Sequence, residues 1–228
     1  MKPRRTTNLK ERLRTTASSL PLDAKRKPTR RRGIESWYPY YAGFTEEFAR
    51  GVIGELACDP FVCVMDPWNG SGTTTRVAHA LGHRALGFDL NPVASLVASA
   101  KIAHASDAQH VVGLAKRISK VAPVDVDGAD PLRAWLAPSV IGQYRGIERT
   151  LLAEMATTAS GESASALAGD FPPLVSFLLL ALVRTAREFA TVSEGTNPTW
   201  IRPGDQRKRA VRTLGTRWTA QVAAMADE

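Results

Sequence analysis

The chain has 228 residues, enough for one domain with additions and for a sizeable buried core. Its longest apolar run, residues 174–183, contains Ser176 and is too short to cross a bilayer, and no apolar segment follows the basic N-terminus as a secretory signal would require; a cytoplasmic location away from membranes is expected. The formal charge of +8 is uneven: residues 1–33 hold 12 of the 30 Lys and Arg against only Glu11 and Asp23, a net of +10, while the remainder carries 18 basic and 20 acidic residues.

Three regions follow from these patterns: a basic arm at 1–33, an α/β part at 34–128 and a helical extension at 129–228. In the arm, Lys25-Arg26-Lys27 and Arg30-Arg31-Arg32 flank Pro28 and Thr29, a composition that favours solvated chain. Such arms bind phosphate backbones without sequence preference, which makes DNA the expected partner. Thr45 then opens a helix with Glu46 and Glu47 in its first turn, where acids complement the dipole. A strand is predicted over 61–65. Cys63 within it and Cys58 just before it lack metal-ligand spacing to His79 or His83, so both are expected to be core thiols, with no disulfide and no metal.

A glycine turn and a second helix follow the strand, ending near Gly82, which suits the left-handed C-terminal position. A second strand runs to Asp89 and a small-residue helix covers 92–101. Ser106-x-x-Gln109 reads as a capping box for a helix over 107–121, and residues 122–127 alternate apolar and acidic as a brief third strand. Helices are predicted over 139–158, on a stripe of Val140, Ile141, Tyr144, Ile147, Leu151 and Leu152, and over 173–192 behind Pro172 and Pro173. Residues 159–170 read as a loop. Asp205 is the expected cap of a last helix reaching Met225, near a second basic group that includes Arg207, Lys208, Arg209 and Arg212.

The chemistry lies in Asp66-Pro67-Trp68-Asn69-Gly70-Ser71-Gly72-Thr73-Thr74, between strand and helix, and in Gly87-Phe88-Asp89-Leu90-Asn91-Pro92 after the second strand. Two acids thus stand at the carboxyl ends of two strands, the edge of an open α/β sheet where ligands bind. Gly70 and Gly72 let the turn pass close beneath a ligand. The loop is not a P-loop, because no Lys follows the second glycine. A dinucleotide site is the nearer rival, but its third glycine position falls on Thr75, and Asp66 would set a negative charge near a pyrophosphate. A cationic cofactor without phosphate fits better. Asp66 and Asp89 also read as helix N-cap acids, and Asn91-Pro92 as a cap followed by Pro at the first helical position.

These two motifs resemble the cofactor site of the amino DNA methyltransferases, the S-adenosylmethionine-dependent enzymes that methylate adenine N6 or cytosine N4; the family's usual Phe is Trp68 here. The resemblance implies a Rossmann-like methyltransferase sheet of about seven strands. It also implies S-adenosyl-L-methionine contacts from Asp66, Pro67, Trp68, Asn69, Gly70, Ser71, Gly72, Thr73 and Thr74, with the loop around the methionine part. Asp89, with Leu90 and Asn91 beside it, would accept from the ribose hydroxyls. Upstream, Trp37-Tyr38-Pro39-Tyr40-Tyr41-Ala42-Gly43-Phe44 resembles the family's aromatic segment over the methionine end, which adds Tyr38 and Tyr40. The resemblance covers residues 36–103, with a weaker echo at 193–202.

The family's catalytic loop is Asp, Asn or Ser followed by Pro-Pro and an aromatic residue, and this tetrapeptide is absent from the sequence. Asp170-Phe171-Pro172-Pro173-Leu174 reads as a helix start. Asn197-Pro198-Thr199-Trp200 keeps the Asn, one Pro and the aromatic, which makes Asn197 and Trp200 weak catalytic candidates, but no apolar strand leads into it. Two or three strands make a marginal sheet with uncovered edges. The expectation is a partial sheet completed by a second protein subunit that carries the catalytic loop and target recognition, joined through residues 174–192 and the sheet edge. The alternatives are a complete divergent enzyme using Asn197 and Trp200, and a non-catalytic DNA-binding module that senses S-adenosylmethionine.

Overall fold

The computed structural model describes residues 33–38, 43–57, 61–103, 105–158, 171–190 and 213–228, with Ala24 and the residue pairs 192–193 and 202–203. The rest of the basic arm, Tyr40, Cys58, the predicted loop at 159–170, Asn197, Trp200 and Asp205 lie outside the described residues. The chain divides into two compact units, one containing Tyr38–Ile102 and the other Arg32–Trp37 with Ala103–Glu228. Residues 103–128, grouped with the α/β part in the sequence-based division, thus fall in the second unit.

The first unit is built around a parallel pair, β1 (Cys63–Asp66) and β2 (Arg84–Gly87), in the register Cys63↔Arg84 to Asp66↔Gly87. Helix α1 (Glu46–Leu56) precedes β1, α2 (Thr73–Ala80) connects the strands, and α3 (Pro92–Ala100) follows β2. Thr45 caps α1, its Oγ1 accepting from the Phe48 N–H at 3.2 Å. Gly82, at φ +81°, ends the turn after α2 in the left-handed region.

Strand alternation sends Val64 and Ala85 to one face, against a core of Ala49, Ile53 and Ala57 from α1 and its end, with Val77 and Ala78 from α2. The other face carries Met65 and Leu86, 64% and 50% exposed, and Cys63, also exposed. The expectation of a core thiol at position 63 is thereby corrected: pleat parity puts Cys63 on the face opposite the α1 and α2 core.

In the second unit α4 (Ala108–Ile118), α5 (Pro138–Thr158), α6 (Pro173–Phe189) and α7 (Leu214–Ala226) pack on one another. Ile118, Ile141, Ile147, Leu151, Leu178, Leu180, Leu182 and Trp218 are fully enclosed, each contributing about 1.5–3 kcal/mol of apolar burial. The Trp218 indole donates to the Leu178 carbonyl at 3.2 Å. Trp37, the first residue of the aromatic run, belongs here: it meets the Phe177 ring edge-on at 5.1 Å and donates to Glu228 Oε2 at 2.8 Å.

Several sequence-based expectations are corrected in this unit. Residues 122–127 form no strand; Val124 donates to the Gly142 carbonyl at 3.1 Å, and this backbone lies against α5 where Gly142 and Gly146 lack side chains. Ser106 and Gln109 make no capping box, because a 3-10 turn at Ala105–Asp107 precedes α4 and the N-cap, Asp107, makes no side-chain cap bond. Helix α7 starts at Leu214, capped by Thr213. Leu152 is exposed at the edge of the α5 stripe. Helix α6 buries Ser176–Leu182.

No helix among the described residues is long and apolar enough to cross a membrane. The result is a mixed α/β chain, mostly helical where described, with a small parallel sheet consistent with part of a Rossmann-like fold.

Candidate cofactor site

The site forms at the carboxyl ends of β1 and β2. The chain leaves β1 at Asp66, turns through Pro67–Gly72 and enters α2 with Gly72 as N-cap in the left-handed region. Gly70 also has positive φ, at +53°, so the turn depends on two residues without Cβ strain. Gly70, Ser71, Gly72 and Thr73 are buried. Gly72 faces α3 closely: a Cβ there would lie 2.6 Å from the Ala98 Cβ.

Neither acid is a helix cap. Asp66 Oδ1 accepts from the Trp68 N–H at 3.0 Å and Oδ2 from the Thr74 hydroxyl at 2.5 Å, which folds the loop over the end of β1. Asp89 Oδ2 accepts from the Gly70 N–H at 2.8 Å and Oδ1 from the Asn91 N–H at 2.8 Å. The cap of α3 is Asn91, whose Oδ1 accepts from the Val93 N–H at 3.0 Å, with Pro92 following at the first helical position.

Asn69, expected only as a cofactor contact, holds this arrangement together with three further residues, Thr75, Gly87 and Ala98. The Asn69 N–H donates to the Phe88 carbonyl at 2.9 Å, and its side-chain oxygen accepts from the Thr75 hydroxyl at 3.1 Å. Its amide nitrogen lies where a Cβ at position 87 would be 2.3 Å away, so a side chain there would have to displace the Asn69 amide. Ala98 is the small residue that admits Gly72. The glycine directly after an apolar strand segment was the available signal for Gly87; Ala98 carried none.

A carboxylate has about four acceptor positions, so Asp89, with one bond at each oxygen, retains capacity for two hydroxyl donors, as a ribose requires. Trp68 and Leu90, 82% and 100% exposed, lie next to the two loop turns and offer apolar surface to a flat ring. These residues fit a nucleoside-type cofactor. Tyr38 is half-buried. Among the described residues no group of three His, Cys, Asp or Glu stands together as a metal site. The pair β3 (Val192–Ser193) and β4 (Arg202–Pro203) is antiparallel; Asn197 and Trp200, which come between them in the sequence, lie outside the described residues.

Fold and site together define a small parallel α/β unit with a glycine loop and a carboxylate at the carboxyl end of each strand. Residues of this chain are 33% identical over 63 positions to the type II methyltransferase M.BsoBI of Geobacillus stearothermophilus, a match spanning 28% of this chain and 12% of that relative. No family model matches the chain, and no solved structure matches it. The similarity is thus to a type II methyltransferase, over a small part of its length.

Proposed function

We propose that this chain is the S-adenosylmethionine-binding subunit of a split DNA amino-methyltransferase, methylating adenine N6 or cytosine N4 with the catalytic loop on a second chain. The observation that carries the reading is a fully tied glycine-loop and carboxylate site on a sheet of two strands. Parallel sheets are stable when covered on both faces and extended at their edges, and this one ends at β1 and β2 among the described residues. The partial similarity to a type II methyltransferase supports the reaction class.

In this reading Asp89 accepts from the ribose hydroxyls and the turn from Gly70 to Thr73 cradles the methionine end. Asp66, oriented by Thr74 and the Trp68 N–H, gives the loop a fixed negative charge beside a cationic group. The cofactor supplies a methyl group bound to a sulfonium. Methyl acceptance by a conjugated amino nitrogen demands a flipped base held at its amino group and stacked on an aromatic ring, the task assigned to the second chain's Pro-Pro-aromatic loop. The basic arm at 1–33 would add salt-dependent contacts to the DNA backbone.

Purification of the full chain from its native host under mild conditions, with mass spectrometry of what accompanies it, tests the reading. A stoichiometric companion carrying the Pro-Pro-aromatic loop is expected, and amides of residues 61–66 should gain hydrogen-exchange protection on its binding. A complete divergent enzyme would instead methylate DNA alone and lose that activity on substitution of Asn197→Ala and Trp200→Ala. A chain that binds the cofactor yet methylates with no companion would be a sensor module.

A further inference from the structure

A cleft of about 290 Å³ opens in the second unit between the 3-10 turn at Pro131–Ala134, α5 and α6, and its lining includes Leu132, Trp135, Tyr144, Val183, Ala186 and Arg187. Its walls are fixed before any ligand arrives. Arg145 on α5 donates to both oxygens of Asp130, at 2.8 and 3.0 Å, and lies over the Tyr144 ring, 5.6 Å from the centroid. Asp130 accepts in turn from the Leu132 N–H at 2.9 Å, and the Leu132 carbonyl accepts from the Trp135 and Leu136 N–H groups, each at 2.9 Å. One arginine thus holds the turn that leads into Trp135 against the helix that carries Tyr144. Arg187 gives this otherwise apolar and aromatic lining its charge. It is exposed, and no carboxylate among the described residues pairs with it, its neighbour Glu188 being engaged by Arg217.

We propose that this cleft binds a small organic anion, an aromatic carboxylate whose rings lie against Trp135, Tyr144 and Val183 and whose charged group meets Arg187. Small-molecule sites are largely pre-formed and apolar, with a few polar groups that fix orientation. A dry cavity of about 150 Å³ takes benzene, so this one has room for a bicyclic body. The guanidinium selects the anion, since it can pair with a carboxylate through two parallel hydrogen bonds. Two other occupants fit less well. A nucleobase would set most of its donors and acceptors against hydrocarbon without partners. A protein partner needs a continuous contact of about 1,000 Å² or more. Around the cleft the surface is instead ion-paired, Asp130 and Glu148 with Arg145 and Glu188 with Arg217, and the large exposed apolar residues of this unit, Val121 and Leu152, do not line it. None of the expected cofactor contacts belongs to this unit, so the cleft is a site of its own.

Naphthoate, a bicyclic aromatic carboxylate, serves as the probe and is titrated calorimetrically into the full chain. One saturable site is expected. Arg187→Gln should weaken binding by about tenfold or more, the scale of a lost hydrogen bond to a charged group. Naphthalenemethanol, which has the rings without the charge, should bind the wild type more weakly than naphthoate by a similar factor. Val183→Phe, which fills the cleft, should abolish binding. Should that variant lose the wild-type unfolding transition, Arg187→Gln at an exposed position decides together with the uncharged analogue. No binding at millimolar probe overturns the proposal. So does binding that is indifferent to both substitutions, which would place the probe on another apolar surface, or equal affinity for the alcohol and the acid, which would remove Arg187 from the site.

Discussion

The side-chain amide of Asn69 occupies the space that a side chain at position 87 would need: a Cβ on Gly87 would stand 2.3 Å from Asn69 Nδ2 and 2.5 Å from its Cγ. With the Asn69 N–H bound to the Phe88 carbonyl at 2.9 Å, this contact sets the glycine loop against the end of β2 and fixes where Gly70 meets Asp89. Gly87→Ala should displace Asn69 and weaken S-adenosylmethionine binding by about tenfold or more, the scale of an overpacking cost of about 1–3 kcal/mol. Isothermal titration with the isolated chain measures it; unchanged affinity would mean that the loop is not held from this point.

Asp89→Asn tests the carboxylate that joins the loop to the turn after β2. An amide has one acceptor oxygen, so either the Gly70 or the Asn91 N–H loses its partner, and a ribose hydroxyl would lose a charged acceptor. Hydrogen bonds to charged groups are worth about 1.5–3 kcal/mol, so the affinity should fall by roughly ten- to a hundredfold. A thermal-shift series with added cofactor should show the same loss of stabilisation.

The strand, glycine turn and helix were legible because each is written locally: Thr45 and Asn91 are cap residues in sequence and in space, and Gly72 and Gly82 take the left-handed angles that glycine suggests. What escaped was set by distant partners. Residues 122–127 alternate as a strand does, yet their polar backbone rests on α5 because Gly142 and Gly146 leave room there. The side of the sheet on which Cys63 lies depends on which face α1 and α2 cover, which composition does not tell. Asp66 and Asp89 were visible as a pair, whereas their bonding to Thr74 and Gly70 arises only when the loop closes.

Gly72→Ala places a side chain at φ +81° and 2.6 Å from the Ala98 Cβ. Backbone strain and the clash should together destabilise the first unit by about 1–3 kcal/mol. Ala98→Gly in the same chain should recover part of this and not all, since the new Cβ would still meet the position 98 Cα at 2.8 Å. Urea denaturation followed by hydrogen exchange of the β1 amides separates the two contributions; full recovery would show that strain at Gly72 is negligible.

In the second unit Arg145 donates to both oxygens of Asp130, at 2.8 and 3.0 Å, and Asp130 caps the 3-10 turn at Pro131–Ala134 through the Leu132 N–H. The Arg145 hydrogen bonds, and after them that of Leu132, lower the Asp130 pKa from an ordinary 3.8 to about 2. A depressed carboxylate pKa stabilises the fold above the unfolded value, and that contribution is lost as pH falls through the folded one. Asp130→Asn should therefore be less stable than the wild type at neutral pH, and the gap should close as the pH falls from about 4 toward 2. Denaturation midpoints of the two proteins across that range provide the check.

The most direct measurement is transfer of a radiolabelled methyl group from S-adenosylmethionine to unmethylated DNA by three samples: this chain, a companion bearing the Pro-Pro-aromatic loop, and their mixture. The split-enzyme reading requires transfer by the mixture alone, onto an exocyclic amino nitrogen, with cofactor binding already present in this chain. Transfer by this chain alone at the rate of the mixture, or none from a mixture in which this chain binds the cofactor, would contradict it.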